Sequence, residues 1–146
     1  MTYLKKLVFN KKGEIDFVLT EPMRLLLFVI LFVTLFTLVL QNNNHKNYHQ
    51  ILDEMARTHL LKPMEENGGL TDTIWNNFQS ELIKRNIPPQ KVELIDATWY
   101  PIDRGEPVEV IINSSYPIRA LAYIGGPKLN RPTMVRKIGV SQRFFR

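Results

Sequence analysis

The 146-residue chain contains no cysteine, so it has no disulfide, thiolate metal ligand or thiol nucleophile. It also lacks a Gly-x-Ser-x-Gly serine motif, a His-Glu-x-x-His metal motif and a glycine-rich phosphate loop. No group of residues therefore points to catalysis, and we expect a protein that is not an enzyme and needs no cofactor.

Charge, glycine and proline are all absent from residues 25–40, LLLFVILFVTLFTLVL. As a helix, these residues would extend about 24 Å, and apolar neighbours on the N-terminal side can supply the rest of a bilayer core of about 30 Å. We therefore predict a transmembrane helix with its core at 25–40 and a span of about 18–41. The alternative, a buried helix of a soluble domain, needs a covering partner that the rest of the sequence does not indicate.

Positive charge is concentrated before this segment. Residues 1–24 hold five Lys and Arg, whereas the first twenty residues beyond the segment hold only Lys46 and Arg57. The positive-inside rule then predicts a cytoplasmic arm at 1–24 and an exported remainder. A cleaved secretory signal fits less well, because the apolar core of such a signal is usually shorter than residues 25–40 and is followed by small residues.

Beyond the membrane segment, apolar residues recur at helical spacing. They predict a membrane-proximal amphipathic helix over 41–62, ended by Pro63, and an extracytoplasmic domain over 63–146. In that domain, the pattern predicts a helix over 71–85 capped by Thr71 or Asp72. It also predicts strands over 91–100, 107–116 and 134–145, with a short helix or edge strand over 118–124. The expected fold is α+β, with one helix on a roughly three-stranded antiparallel sheet.

Three potential metal ligands share one face of the helix predicted for 41–62. His45, His49 and Asp53 are spaced four residues apart, but such spacing arises easily by chance. Because a zinc site also needs further ligands and supporting hydrogen bonds, we expect no metal here.

The last part of the chain is rich in cations and has no acid. Seven basic residues form a candidate basic surface: Arg119, Lys128, Arg131, Arg136, Lys137, Arg143 and Arg146. Such a surface would suit anionic lipid headgroups, wall polymers or the acidic part of another subunit. The alternative is that folding mixes these cations with acids. Nucleic acid is not an expected partner, because no recognised binding motif is present.

Two carboxylates, Asp16 and Glu21, lie at the cytoplasmic edge of the apolar segment. They can simply sit among the lipid headgroups, paired with a cation such as Arg24 or Lys12. The other interpretation is that one of them meets a positive group on a neighbouring subunit.

The run Asp16 to Pro22, DFVLTEP, following Lys11-Lys12-Gly13, resembles the start of TadE-type pilin-like proteins of tight-adherence pili and their Gram-positive relatives. The resemblance implies that Asp16 and Pro22 stand at that family's acidic residue and helix proline. It also suggests leader processing between Gly13 and Glu14, although the acid is Asp instead of Glu and follows Gly13 more closely than usual.

Together these features predict a minor pilin-like or pseudopilin-like subunit of a pilus, secretion or adherence apparatus, which acts by helix packing and assembly. Its expected assembly residues are Asp16, Glu21, Pro22 and Arg24. Its expected partners are membrane lipid, copies of itself or similar subunits, and the pilus or secretion platform. The alternative is a membrane-tethered sensor or accessory binding module that does not polymerise.

Overall fold

The computed structural model describes residues 21–118, 126 and 129–143. The chain divides into two units, Met1–Thr37 and Leu38–Arg146. The described elements are, in order, α1 (Glu21–Ala56), a π-helical turn (Arg57–Leu61), α2 (Lys62–Asn67), α3 (Asp72–Lys84), a 3-10 turn (Pro89–Lys91), β1 (Val92–Ala97), β2 (Pro107–Ile118) and β3 (Leu129–Val140). A long N-terminal apolar helix and an α+β fold with a three-stranded antiparallel sheet are thus confirmed.

Helical structure continues past the predicted stop at Pro63. The residues of the amphipathic helix predicted over 41–62, as an extension of the transmembrane helix, belong to α1, to the π-helical turn and to the start of α2. Pro63 lies in the first turn of α2, where a missing N–H group costs little. The helix ends instead at Gly68, whose positive φ of 78° places it in the left-handed region that glycine adopts readily.

Helix α3 lies within the predicted range of 71–85, and its cap is one of the two predicted residues. Its N-cap is Thr71, whose Oγ1 accepts a hydrogen bond from the Ile74 backbone N–H at 3.3 Å. Phe78 and Leu82 are fully buried, whereas Ile83, the next residue along the helix, is 62% exposed. The buried stripe of this helix is therefore narrow.

The sheet has the order β1-β2-β3, with β2 in the centre and both neighbours antiparallel to it. The residues of β2 that point to one face, from Val108 through Val110 and Ile112 to Ser114, are buried. These side chains join α1, the π-helical turn, α2 and α3 in one core, whose main members are Leu52, Met55, Leu60, Met64, Phe78, Leu82, Val108, Ile112 and Val135.

Strand β3 differs from its predicted range of 134–145. It begins at Leu129, because Pro132 lies on an edge strand, where a missing backbone N–H need not break a ladder. It ends at Val140. The Ser141 N–H still donates to Glu106 O, the residue opposite it, but the Gln142 N–H donates to Glu65 O outside the sheet. Of the predicted segment 118–124, Ile118 ends β2 and the remaining residues lie outside the described part of the chain.

Candidate functional site

The apolar half of α1 has nothing packed around it in the described chain. Between Pro22 and Leu40, fourteen large apolar side chains are exposed, from Ile30 at 44% to Phe28 at 67%. Thr34 and Thr37 donate their hydroxyls to the carbonyls of Ile30 and Val33, which hides their polarity. Within the described residues, one helix is long and apolar enough to cross a membrane, and its most apolar window has a mean hydropathy of 2.7.

The free energy of burying apolar side chains favours an apolar environment for residues 22–40. Full burial of a Leu, Phe, Val or Ile side chain is worth about 1.5–3 kcal/mol relative to leaving it in water. Over fourteen such side chains, this exceeds the stability of a small domain, which is about 5–15 kcal/mol. The arrangement is consistent with a membrane anchor.

The predicted assembly residues lie at the start of α1 or before it. Pro22 is the second residue of the helix, a position that suits proline, and it borders a shallow cavity with Arg24, Leu25 and Phe28. Glu21 opens the helix, and only its backbone is described. Asp16 and the predicted processing site, Gly13 and Glu14, lie outside the described residues.

Four members of the candidate basic surface are described, and each contacts another side chain. The guanidinium of Arg136 donates to the Glu109 carboxylate, which raises the pKa of Arg136. Lys137 Nζ lies 2.6 Å from Asp53 Oδ1. Arg131 donates to Asn42 Oδ1 at 2.9 Å, and the guanidinium carbon of Arg143 lies 4.7 Å from the centre of the Tyr100 ring.

These contacts join the four basic residues, three of which lie in β3, to other parts of the unit Leu38–Arg146, through both carboxylates and neutral groups. Arg119, Lys128 and Arg146 lie outside the described residues. A basic surface formed by all seven residues therefore stays a prediction.

A group of polar and aromatic side chains between α1 and the sheet was not foreseen from the sequence. His45, 8% exposed, places Nε2 3.0 Å from Thr133 Oγ1, a hydrogen-bond distance. One turn later, the hydroxyls of Tyr48 and Ser114 are hydrogen bonded at 2.5 Å. The ring of Tyr116 packs against the rings of His45 and Tyr48, and its centroid lies 5.7 Å from the His45 centroid and 5.4 Å from the Tyr48 centroid. We call these five residues the His45 cluster.

The surroundings of His45 favour its neutral form. Burial, followed by the positive charge of Arg131 and then by His49, lowers the pKa of His45 below its ordinary value of 6.5. The neutral ring can share one hydrogen bond with the Thr133 hydroxyl and avoids placing a buried charge beside Arg131.

Two of the three side chains considered as metal ligands make other contacts. His45 contacts Thr133 and Asp53 pairs with Lys137, so two of the three face the sheet and not a common ion. No cluster of three or more His, Asp or Glu side chains that could hold a metal occurs among the described residues.

Two cavities are lined in part by residues of α1, and they differ in whether acids are present in the lining. One, of about 720 Å³, is lined by both acids and bases, including Glu54, Glu65, Arg57, Lys62 and Lys137. The other, of about 380 Å³, opens between α1, residues 85–91 and the end of β2. We call it the Tyr48 groove; its lining includes Asn44, Asn47, Tyr48, Ile51, Arg85, Ile87, Lys91 and Tyr116.

No protein-family model, curated protein or solved structure matches the chain.

Proposed function

We propose that the chain is a membrane-anchored, pilin-like or pseudopilin-like subunit of a pilus, secretion or adherence apparatus. The observation that carries this proposal is the stretch of fourteen exposed apolar side chains between Pro22 and Leu40. A protein that assembles through its membrane helix needs such a surface, first against lipid and then against the helices of other subunits.

The proposed topology follows from the distribution of charge. Lysines at positions 5, 6, 11 and 12 keep the N-terminus in the cytoplasm, and residues 41–146 lie outside the cytoplasmic membrane. The core formed by the end of α1, the helices that follow it and the three-stranded sheet gives the exported part a folded domain. A subunit that is assembled into a surface filament needs both the apolar helix and the folded exported domain.

In this proposal, Asp16 and Glu21 set the register between neighbouring subunits. A carboxylate is costly in an apolar helix bundle unless it meets a cation, so the arrangement in which one of them finds a positive group on the next subunit is favoured. The resemblance of the segment from Asp16 to Pro22 to TadE-type proteins supports this role.

The test is the recovery of partner subunits with full-length Asp16→Ala and Glu21→Ala variants. We expect at least one variant to lose several-fold in co-purified partners or in filament yield, whereas Glu66→Ala removes an exposed acid of the outer domain and has no effect. If neither variant differs from the Glu66→Ala control, the proposal that these carboxylates set the register between subunits is wrong.

Crosslinking in cells distinguishes assembly from the tethered sensor. A ladder of self-adducts, or adducts with similar short membrane proteins, is the expected result for a subunit. A single adduct with an unrelated protein would instead identify a tethered binding module.

N-terminal sequencing of protein extracted from the membrane tests the processing site separately. A mature chain that begins at Glu14 would establish cleavage after Gly13, and an intact N-terminus would exclude it.

A further inference from the structure

The Tyr48 groove differs from the neighbouring cavity because its described lining contains basic residues without any acid, whereas the neighbouring cavity is lined by both. Arg85 and Lys91 both line it, and no carboxylate among the described residues does. Glu93, two residues after Lys91, lines a separate and smaller cavity that Lys91 also borders. The groove therefore favours an anionic occupant.

The rest of the lining is suited to a ligand that is partly apolar. Tyr48, Ile51, Ile87 and Tyr116 supply apolar surface, while Asn44 and Asn47 supply amide groups that can donate hydrogen bonds. The hydroxyl of Tyr48 is bonded to Ser114, which fixes the ring that forms one wall. A phosphate ester with a glycerol backbone matches this combination better than an inorganic anion does.

The position of the groove along α1 indicates the source of such an ester. Asn44 follows the last apolar residue, Leu40, by four positions, which is about 6 Å along a helix, and Asn47 follows by about 10 Å. A bilayer has a hydrocarbon core of about 30 Å and a full thickness of about 40–45 Å, so its headgroups occupy about 5–8 Å on each side. Asn44 lies within that depth and Asn47 lies just beyond it.

We propose that the Tyr48 groove binds the headgroup of an anionic phospholipid from the same membrane that holds the chain. Arg85 and Lys91 pair with the phosphate, and the aromatic and aliphatic wall contacts the glycerol. This inference rests on the membrane anchoring in the proposed function, but it does not depend on assembly.

The test uses the full-length protein in bilayer nanodiscs that mix phosphatidylglycerol with phosphatidylcholine. A photoreactive amino acid replaces Asn47, which lines the groove, and mass spectrometry measures the ratio of the two lipid adducts. We expect phosphatidylglycerol to be enriched several-fold over its proportion in the bilayer. Arg85→Gln combined with Lys91→Gln should remove the enrichment, and Arg85→Lys combined with Lys91→Arg should keep it.

A matched control removes the same amount of charge elsewhere. Arg57→Gln combined with Lys62→Gln alters the other cavity, so the enrichment should persist. The proposal would be overturned if the ratio of the two lipid adducts at position 47 equals the ratio of the two lipids in the bilayer. It would also be overturned if the control variant loses the enrichment to the same extent. Suppression of the adduct by soluble glycerophosphoglycerol at low concentration would also overturn it, because the groove would then select a free phosphate ester.

Failure here and failure of the proposed function are distinguishable. If the lipid ratio shows no enrichment while self-adducts persist in cells, the groove is not a lipid site and the assembly proposal is unaffected. If the enrichment is found without self-adducts, the lipid site is supported and assembly is not.

Discussion

Residues 22–40 and residues 41–56 belong to the same helix, α1, but they differ in what surrounds them. In the first stretch, apolar side chains point in every direction and are exposed. In the second, Leu52, Met55 and Ala56 are buried, whereas the polar residues between them are half-buried or exposed. The comparison shows that helix formation alone does not decide the environment of a segment, because the distribution of apolar residues around the axis does.

The sharpest way to test this difference is to shorten a leucine in each stretch. Leu52 is fully buried, so Leu52→Ala should lower the free energy of unfolding of the outer domain by about 2–5 kcal/mol. Leu35 is 54% exposed, and Leu35→Ala should leave that unfolding unchanged. Denaturant unfolding of the detergent-solubilised chain, followed by the fluorescence of Trp75 and Trp99, measures both.

Equal effects of the two substitutions would contradict the division of α1 into a lipid-facing stretch and a stretch that belongs to the core. Since both substitutions are Leu to Ala in one helix, they change intrinsic helix propensity equally. Any difference between them therefore reports their surroundings.

The next largest effect is expected at the hydrogen bond between Tyr48 and Ser114. Tyr48→Phe leaves a buried hydroxyl without its partner and should cost about 1–3 kcal/mol of unfolding free energy. Ser114→Ala removes the other partner, and the double variant should cost less than the sum of the two single variants. Additive single effects in this double-mutant cycle would show that the bond contributes nothing.

The smallest effect is a dependence of stability on pH through His45. Because folding lowers the pKa of His45, the unfolded chain binds its proton more readily. The contribution of His45 is complete above the ordinary pKa of 6.5 and is lost as pH falls through that value towards the lower pKa of the folded state. Unfolding measured across this range should show stability decreasing as the solution becomes more acidic.

The control for this pH dependence is a pair of histidine substitutions. His45→Gln should flatten the decrease, whereas His59→Gln should retain it because His45 is still present. A decrease that persists unchanged in His45→Gln would assign it to other groups.

Local pattern predicted the elements of this fold better than it predicted their contacts. The apolar run, the Thr71 cap and the alternation in β2 are recorded in neighbouring residues, so the sequence indicated them correctly. The start of β3 was missed because Pro132 is a poor strand former that an edge position tolerates. Pro63 was misjudged because a proline that stops one helix also suits the first turn of another.

The candidate sites depend on pairs that are distant in sequence. His45 and Thr133 are 88 positions apart, and Tyr48 and Ser114 are 66 apart. No periodicity links such residues, so the His45 cluster and the Tyr48 groove became apparent only from the fold. The apolar segment could be predicted without knowledge of long-range contacts, because nearly all of its consecutive residues are apolar.

Membrane insertion with the outer domain exported is the central claim, and the absence of native cysteine permits a direct test. Single cysteines replace Asn77, exposed on α3, and Thr2, and intact spheroplasts are treated with a membrane-impermeant maleimide. We expect the chain to stay in the membrane pellet after an alkaline wash, with Asn77→Cys labelled in intact spheroplasts and Thr2→Cys labelled only after lysis. A chain released without detergent, or the opposite labelling pattern, would contradict the account.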